Sequence, residues 1–341
     1  VKQKVVDDRL LHWDELKNDD WSAILLGNGF SINIWPDFNY HSLFELAESE
    51  DIDFPLKATA VELFQKKDTT NFEQILNLLL GAILADEVIE GNQRLKLRRL
   101  YKGIQKSLIS AVQKSHVSSD RVNTEHISTE MSKYDTVFTT NYDLIPYWSI
   151  MDHNTSKFRD YFWGQGSSFD ENNTNLWSKC TRILYLHGAL HILEELEGET
   201  VWKNTANELN LLDQFPETFS SLQRPLFITE GDAKQKLARI YSSGYLKFAY
   251  DELRGHDESL VILGHSLDLD YDKHLIDAIA EWDKQRVAIS VWPGMPSPDI
   301  IEFKSRINKH LSKHKLLYFD STSHPLGIES LNYRNKHHSM I

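Results

Sequence analysis

Apolar residues along this chain fall into short uninterrupted runs closed by polar residues or glycine, with stretches of helical periodicity between them. Seven runs read as strands: 22–26, 135–139, 182–187, 225–229, 259–263, 286–292 and 315–319. Most are continuous rather than alternating, the pattern of strands covered by helices on both faces. Helical spacing follows the first run at Leu43-Phe44-x-Leu46-Ala47 and leads into the fifth at Tyr245–Leu253. The alternation predicts parallel βαβ units with right-handed crossovers. The expected fold is therefore α/β, a Rossmann-like parallel sheet with helices on both faces.

Between the first two runs the chain spends about a hundred residues, where a parallel crossover needs only about a dozen. Phe72, Ile75, Leu76, Leu79, Leu80 and Ile83 recur at helical spacing and predict a helix over 72–90. A second helix runs through Leu95, Leu97, Leu100, Ile104 and Leu108. An inserted helical subdomain at about 46–130, packed over the sheet, is the expectation, within one α/β domain spanning 1–341. The stretch 152–180, rich in Asn, Ser and Gly, reads as an exposed polar excursion near the ligand crevice. Glu194 to Glu199 reads as an acidic turn.

Composition narrows the function classes. The formal charge of −13 over 341 residues argues against a free-standing nucleic-acid binder, which needs a basic face. Arg94, Lys96, Arg98, Arg99 and Lys102 cluster, but the pattern is that of a solvated helix face. One cysteine, Cys180, allows neither an intrachain disulfide nor a cysteine-rich zinc module. No apolar run reaches 18 residues, so no membrane span is expected. Val1-Lys2-Gln3-Lys4 carries no apolar secretory segment, which makes the cytoplasm the expected location and the Asn154-Thr155-Ser156 and Asn172-Asn173-Thr174 acceptor patterns chance matches.

Chemistry concentrates where strands end. Gly27-Asn28-Gly29-Phe30-Ser31 follows the first run, Thr139-Thr140-Asn141-Tyr142-Asp143 the second, and Leu186-His187-Gly188 the third. Ligands of open parallel sheets bind at the carboxyl ends of strands, so the three loops are expected to share one crevice. Gly27 and Gly29 suit close approach of a ligand or a tight strand–helix turn, with helix N–H groups available to a pyrophosphate. Ser31 reads first as a helix cap. Thr140 and Asn141 suit capping and contact with a ribose, a carboxamide or water. His187 titrates near neutrality and suits proton transfer. His187 and His191 stand four apart and would face one metal only on a helix, with no third ligand in sight, so no metal is expected. The acidic stretch from His265 to Asp272 lacks the glycine and final glutamate of a calcium loop. Gly264 and Ser266, again after a strand, fit a second nucleotide contact. The segment Asp320 to Pro325 follows the last run and could reach the crevice.

The series Gly27-Asn28-Gly29-Phe30-Ser31, Thr139-Thr140-Asn141-Tyr142-Asp143, Leu186-His187-Gly188 and Gly264-His265-Ser266-Leu267 resembles the sirtuin-like superfamily. It is most similar to the bacterial sirtuin-like proteins that resemble NAD-cleaving effectors of anti-phage defence, and Asn71-Phe72-Glu73 at the start of the helical insert is similar to that branch. The resemblance spans roughly residues 20–295. It implies an NAD glycohydrolase with NAD as substrate, no zinc, and Asn141 and His187 as catalytic residues, the former placing the nicotinamide ribose and water, the latter acting as base. It further implies that Gly27, Asn28, Gly29, Phe30, Ser31 and Thr140 bind NAD, with Asp143 facing the carboxamide and Gly264, His265 and Ser266 on the adenosine side. Such effectors act as self-assembled oligomers or with a partner ATPase or sensor, and Trp163, Trp177 and Trp202 would mark an interface or be packed aromatics. Departures are Asn28 where deacylases carry alanine, Thr140 where they carry glutamine, the missing zinc cysteines, and no ribose-holding asparagine within Val291-Trp292-Pro293-Gly294. Deacylation is therefore not expected. An NAD or ADP-ribose sensor and an ADP-ribosyltransferase stay open as alternatives.

Overall fold

A computed structural model of the chain describes residues 6–38, 43–153, 155–162, 165–172, 180–195, 200–204, 211, 223–228 and 232–333. Its centre is a seven-stranded sheet in which every pairing is parallel. The strands are β1 (Ala23–Leu26), β2 (Thr136–Thr139), β3 (Phe158–Arg159), β4 (Thr181–Tyr185), β8 (Leu260–Leu263), β9 (Arg286–Val291) and β10 (Lys315–Asp320). Their order is β10-β9-β8-β1-β2-β4-β3. Without the two-residue edge strand β3, this is the strand order of the Rossmann fold, with β1 central and the chain reversing direction between β1 and β8. Every residue of β1, β2 and β8 is buried, as the uninterrupted apolar runs require. Each fully buried Ile or Leu there contributes about 1.5–3 kcal/mol of transfer free energy.

Register decides what the sheet presents. Leu26 pairs with both Thr139 and Leu263, and Thr139 pairs with Tyr185. Four adjacent strands thus end at one level. The ladder continues one step further, from Gly27 N to Leu263 O, Thr140 N to Leu26 O and Leu186 N to Thr139 O, each within 2.9–3.0 Å. The four motif loops leave the sheet side by side.

The long first crossover is helical. It contains α1 (Asn28–Ile34), α2 (Leu43–Glu48), α3 (Ala58–Lys67), α4 (Phe72–Val88), α5 (Arg94–Ser115) and α6 (Thr124–Met131). Asn71 Oδ1 accepts from Gln74 N and caps α4. Phe44, Phe64 and Phe72 pack ring to ring at 4.7–6.5 Å, and the apolar core continues from this insert into the sheet. Lys96, Arg98, Arg99 and Lys102 are exposed along α5, the solvated face expected. After the insert come α7 (Ile145–His153), α8 (Ala233–Tyr241), α9 (Gly244–Arg254), α10 (Lys273–Glu281) and α11 (Ser297–His310). Among the described residues, no helix is long and apolar enough to cross a membrane.

One expected strand changes sheets. The run 225–229 falls in β7 (Gln223–Phe227), which pairs antiparallel with β5 (Gly188–Glu195), itself paired with β6 (Val201–Lys203). An apolar run reports burial but not its partner, and here the partner is a second, three-stranded sheet. Glu194 and Glu195 of the expected acidic turn complete β5, and Trp202 is half-buried in β6. Trp163 and Trp177, Asn154, much of the polar excursion and residues 196–199 lie outside the described residues.

Candidate active site

A cleft of about 490 Å³ opens at the carboxyl ends of β4, β2, β1 and β8, across the point where the chain reverses direction. That volume lies within the range of pockets that enclose small organic ligands. Asn28, Gly29, Thr140, Asn141, Asp143, His187, Gly264, His265 and Ser266 line it, so all four motif loops contribute. Gly27, Phe30 and Ser31 do not face it. Phe30 is 1% exposed in the core, while Ser31 and Gly27 act from behind the wall through Asn141 and Asp143.

The glycines serve loop packing. A Cβ on Gly27 would lie 2.6 Å from Gly264 O, and one on Gly29 would lie 2.8 Å from Gly264 Cα. Gly264 has φ +69°, and its Cβ would meet Phe30 N at 2.4 Å. The loops after β1 and β8 therefore interlock. The Gly29 N–H donates to Gly264 O at 2.7 Å and the Phe30 N–H to Gly27 O at 3.0 Å, so these two donors are already engaged. Gly188 has φ +73° where β5 runs close against β7; its Cβ would lie 2.0 Å from Leu226 O. Asn28 Nδ2 reaches Phe38 O at 3.3 Å, tying the loop to the turn at Pro36–Phe38.

Asn141 is 4% exposed, and its amide donates to Gly27 O at 3.0 Å and to Ser31 Oγ at 2.8 Å. With both Nδ2 protons held by the wall, Oδ1 is the atom it offers the cleft. Ser31 is not a helix cap: Oγ donates to Asp143 Oδ2 at 2.5 Å. Asp143 also accepts from Ile145 N at 2.9 Å, which caps the start of α7. Burial lifts the Asp143 carboxyl to about 6, with the bonds from Ser31 and the Ile145 and Asp143 backbones pulling the other way.

His187 lies between β4 and β5, 4% exposed. Its Nε2 is 2.9 Å from His274 Nε2 of α10. Burial, reinforced by repulsion from His274, Lys236 and His265, holds the His187 ring well below its ordinary value, so it is neutral at physiological pH. His274 is lowered to about 4, chiefly by burial. His265 Nδ1 accepts from Leu267 N at 3.1 Å and lies 3.9 Å from Asp272 Oδ2, and its ring is 6% exposed. Asp272 accepts from Lys236 Nζ at 3.1 Å, each side chain about a tenth exposed. Tyr142 stacks on Phe227 at 5.2 Å, and Ile228, whose N–H donates to His187 O at 2.8 Å, closes the wall on the side of the antiparallel sheet.

Lys236, His274 and Phe38 are not marked by the sequence, and Tyr142, Asp272 and Ile228 fall within its motifs and runs without being assigned to the site. Nothing local marks the first three; α8 and α10 deliver Lys236 and His274 through tertiary packing. His191 does not join His187. His187 stands in the turn before β5 and His191 within that strand, where the His191 ring packs between Tyr147 and Tyr185 at 4.5 and 4.8 Å. Among the described residues, no three His, Cys, Asp or Glu side chains gather in an arrangement that would hold a metal. His324, in the segment expected to reach the crevice, packs instead on Trp13 at 4.4 Å and bonds Tyr134 at 3.0 Å.

No curated protein matches the chain. Residues 24–326 match the model of the family described as a domain of unknown function, DUF4917, a span that holds every loop of the cleft. The chain belongs to the DUF4917 family.

Proposed function

We propose that this protein is an NAD glycohydrolase, splitting NAD into nicotinamide and ADP-ribose, with Asn141 and His187 positioning and activating the water. The observation that supports it most is the convergence of the four loops on one cleft at the reversal point of a Rossmann-ordered sheet, the place where such sheets take nucleotides. Fold alone hosts many activities. The polar side chains add the chemistry: an asparagine with locked donors, a neutral buried imidazole, and a carboxyl poised near neutrality.

The reaction asks little of acid catalysis. The ribosyl C–N bond breaks with its electron pair going to the pyridinium nitrogen, and nicotinamide leaves neutral. Water oxygen bonds to the ribosyl carbon and sheds one proton. The protein has to hold the ribose, shelter the oxocarbenium-like centre and aim the water. Removing Asn141 or His187 is expected to cost about 10²–10⁴ in rate. Uncontrolled NAD hydrolysis would poison a cell, so the proposal includes control by homo-oligomerisation or by a partner ATPase or sensor, and a cytoplasmic role as an NAD-depleting effector in anti-phage defence.

The test is incubation of the purified protein with NAD, resolving nicotinamide and ADP-ribose by chromatography, beside Asn141→Ala and His187→Ala. Release by the wild type and not by the variants supports hydrolysis. Binding by calorimetry without release leaves two readings, a sensor of NAD or an ADP-ribose derivative and an enzyme that needs its activating partner. Labelled acceptor in place of free ADP-ribose favours a transferase. Neither release nor binding overturns the proposal.

A further inference from the structure

Behind His187 stands a second imidazole that does not line the cleft. His274 is 3% exposed, and its Nε2 meets His187 Nε2 at 2.9 Å. Two neutral imidazoles at that distance share one proton between the facing nitrogens: one ring donates and the other accepts. Both rings are held neutral by burial, His274 with Lys236, His265, Asp272 and Asp277 around it.

The remaining nitrogens choose between the two arrangements. His274 Nδ1 is buried and has no hydrogen-bond partner among the described residues. If His187 donated, His274 would carry its own proton on Nδ1 and bury an orphaned N–H. If His274 donates, its Nδ1 is only an unpaired acceptor. Orphaned buried N–H groups are the rarer case among backbone groups, and the same reasoning favours the second arrangement for the imidazole pair. His274 is then protonated on Nε2, and His187 has its proton on Nδ1, the ring nitrogen left for the cleft.

We infer that His274 is a positioning residue that sets the tautomer of His187, so that His187 meets the cleft with an Nδ1–H donor while Asn141 offers the same cleft a carbonyl acceptor. A donor and an acceptor on one cleft complement a hydroxyl oxygen, which accepts from one and donates to the other. A ribose hydroxyl and the attacking water both have this chemistry. The inference deepens the glycohydrolase reading and rests on it for the identity of that hydroxyl, whereas the tautomer itself does not depend on NAD. In this form His187 orients an oxygen lone pair. Base chemistry at Nδ1 first requires the pair to exchange tautomers, a population cost of about tenfold or more.

Nitrogen-15 NMR of histidine-labelled protein without ligand reads the tautomer directly, with His187→Gln and His274→Gln assigning the two rings. The expected spectrum has His187 protonated on Nδ1 and bare on Nε2, with His274 protonated on Nε2. A His187 ring protonated on Nε2 in the wild type overturns the inference. His274→Glu, where its carboxyl is ionised, supplies only acceptors, so His187 is expected to move its proton to Nε2. His274→Gln can turn either its amide N–H or its carbonyl toward His187 and serves for assignment only. An unmoved His187 beside an ionised Glu in a folded variant, the ionisation read from the carbon-13 shift of the side-chain carboxyl, also overturns the inference, and if that variant does not fold the wild-type spectrum decides. Absence of both NAD cleavage and NAD binding while this spectrum holds removes the glycohydrolase reading and leaves the tautomer assignment standing.

Discussion

Replacing Asp143 by Asn tests whether the cleft wall is built around a buried carboxyl. In the folded protein the Asp143 carboxyl titrates at about 6 against an ordinary 3.8, because burial outweighs the bonds from Ser31 and the Ile145 and Asp143 backbones. Folding therefore tightens its hold on this proton. The stability contributed by the group is full below pH 3.8 and is lost as pH rises through 6. The whole loss is about 3 kcal/mol, of which about 1.4 kcal/mol falls between pH 5 and pH 7.5. An asparagine at this position would have no such slope. It would instead carry a constant penalty, since both Asp143 oxygens accept hydrogen bonds and an amide supplies only one acceptor. The absolute stability of the variant thus mixes two effects, but its pH dependence isolates one. Urea denaturation of both proteins at pH 5, 6, 7 and 7.5 gives the difference curve, in which other titrating groups cancel. Relative to wild type, Asp143→Asn is expected to gain about 1.4 kcal/mol from pH 5 to pH 7.5. Parallel curves would refute the reasoning.

Two further outcomes follow from packing and burial. Gly264→Ala combines a left-handed backbone with a Cβ 2.4 Å from Phe30 N; the loss in urea denaturation is expected to exceed about 3 kcal/mol, and a loss under about 1 kcal/mol would mean the two loops do not interlock. His116 and His274 are lowered to about 4 and His324 to about 3, in each case chiefly by burial. Depressed folded values give stability that is present above pH 6.5 and lost as pH falls, so the unfolding free energy in urea is expected to drop between pH 6.5 and 5. His324→Gln is expected to flatten that drop by about 1.6 kcal/mol, and an unchanged slope would count against a neutral buried His324.

The parts of the fold that sequence revealed are those where burial on both faces writes a continuous apolar run. β1, β2, β4, β8 and β9 came from such runs, while β10 is an apolar run at the sheet edge that is buried only at Tyr318 and Phe319. β3 and β6 are two and three residues long and carry no pattern to read. β5 was hidden because Gly188-Ala189-Leu190-His191-Ile192-Leu193 is apolar almost throughout, and apolar runs of that length fit a buried strand or a helix segment equally. In the cleft, the loop residues were legible because strand ends in a parallel sheet are where ligand chemistry collects. Lys236, Asp272 and His274 were not, because their role comes from which helix packs over which strand. His274 in particular sits within the amphipathic face of α10, where a histidine has no local signature.

The same geometry changes what the glycine motif means. Gly-x-Gly after a strand reads as room for a phosphate, yet here Gly27, Gly29 and Gly264 take up one another's space, and Gly264 O occupies the Gly29 N–H. The charges within the cleft largely answer each other as well: Lys236, the one lysine or arginine among its described residues, is paired with Asp272 in a setting about nine-tenths shielded from solvent. A buried pair of that kind gains little from a passing anion, because drawing Lys236 away would strand the Asp272 carboxylate. Beside the Asp143 carboxyl, recognition in this cleft therefore falls on neutral dipoles whose directions are fixed from behind, Asn141 by Gly27 and Ser31, and His187 by His274. Under the proposed glycohydrolase reading, the ribose hydroxyls and carboxamide of NAD would meet the inner wall and its anionic groups the open side.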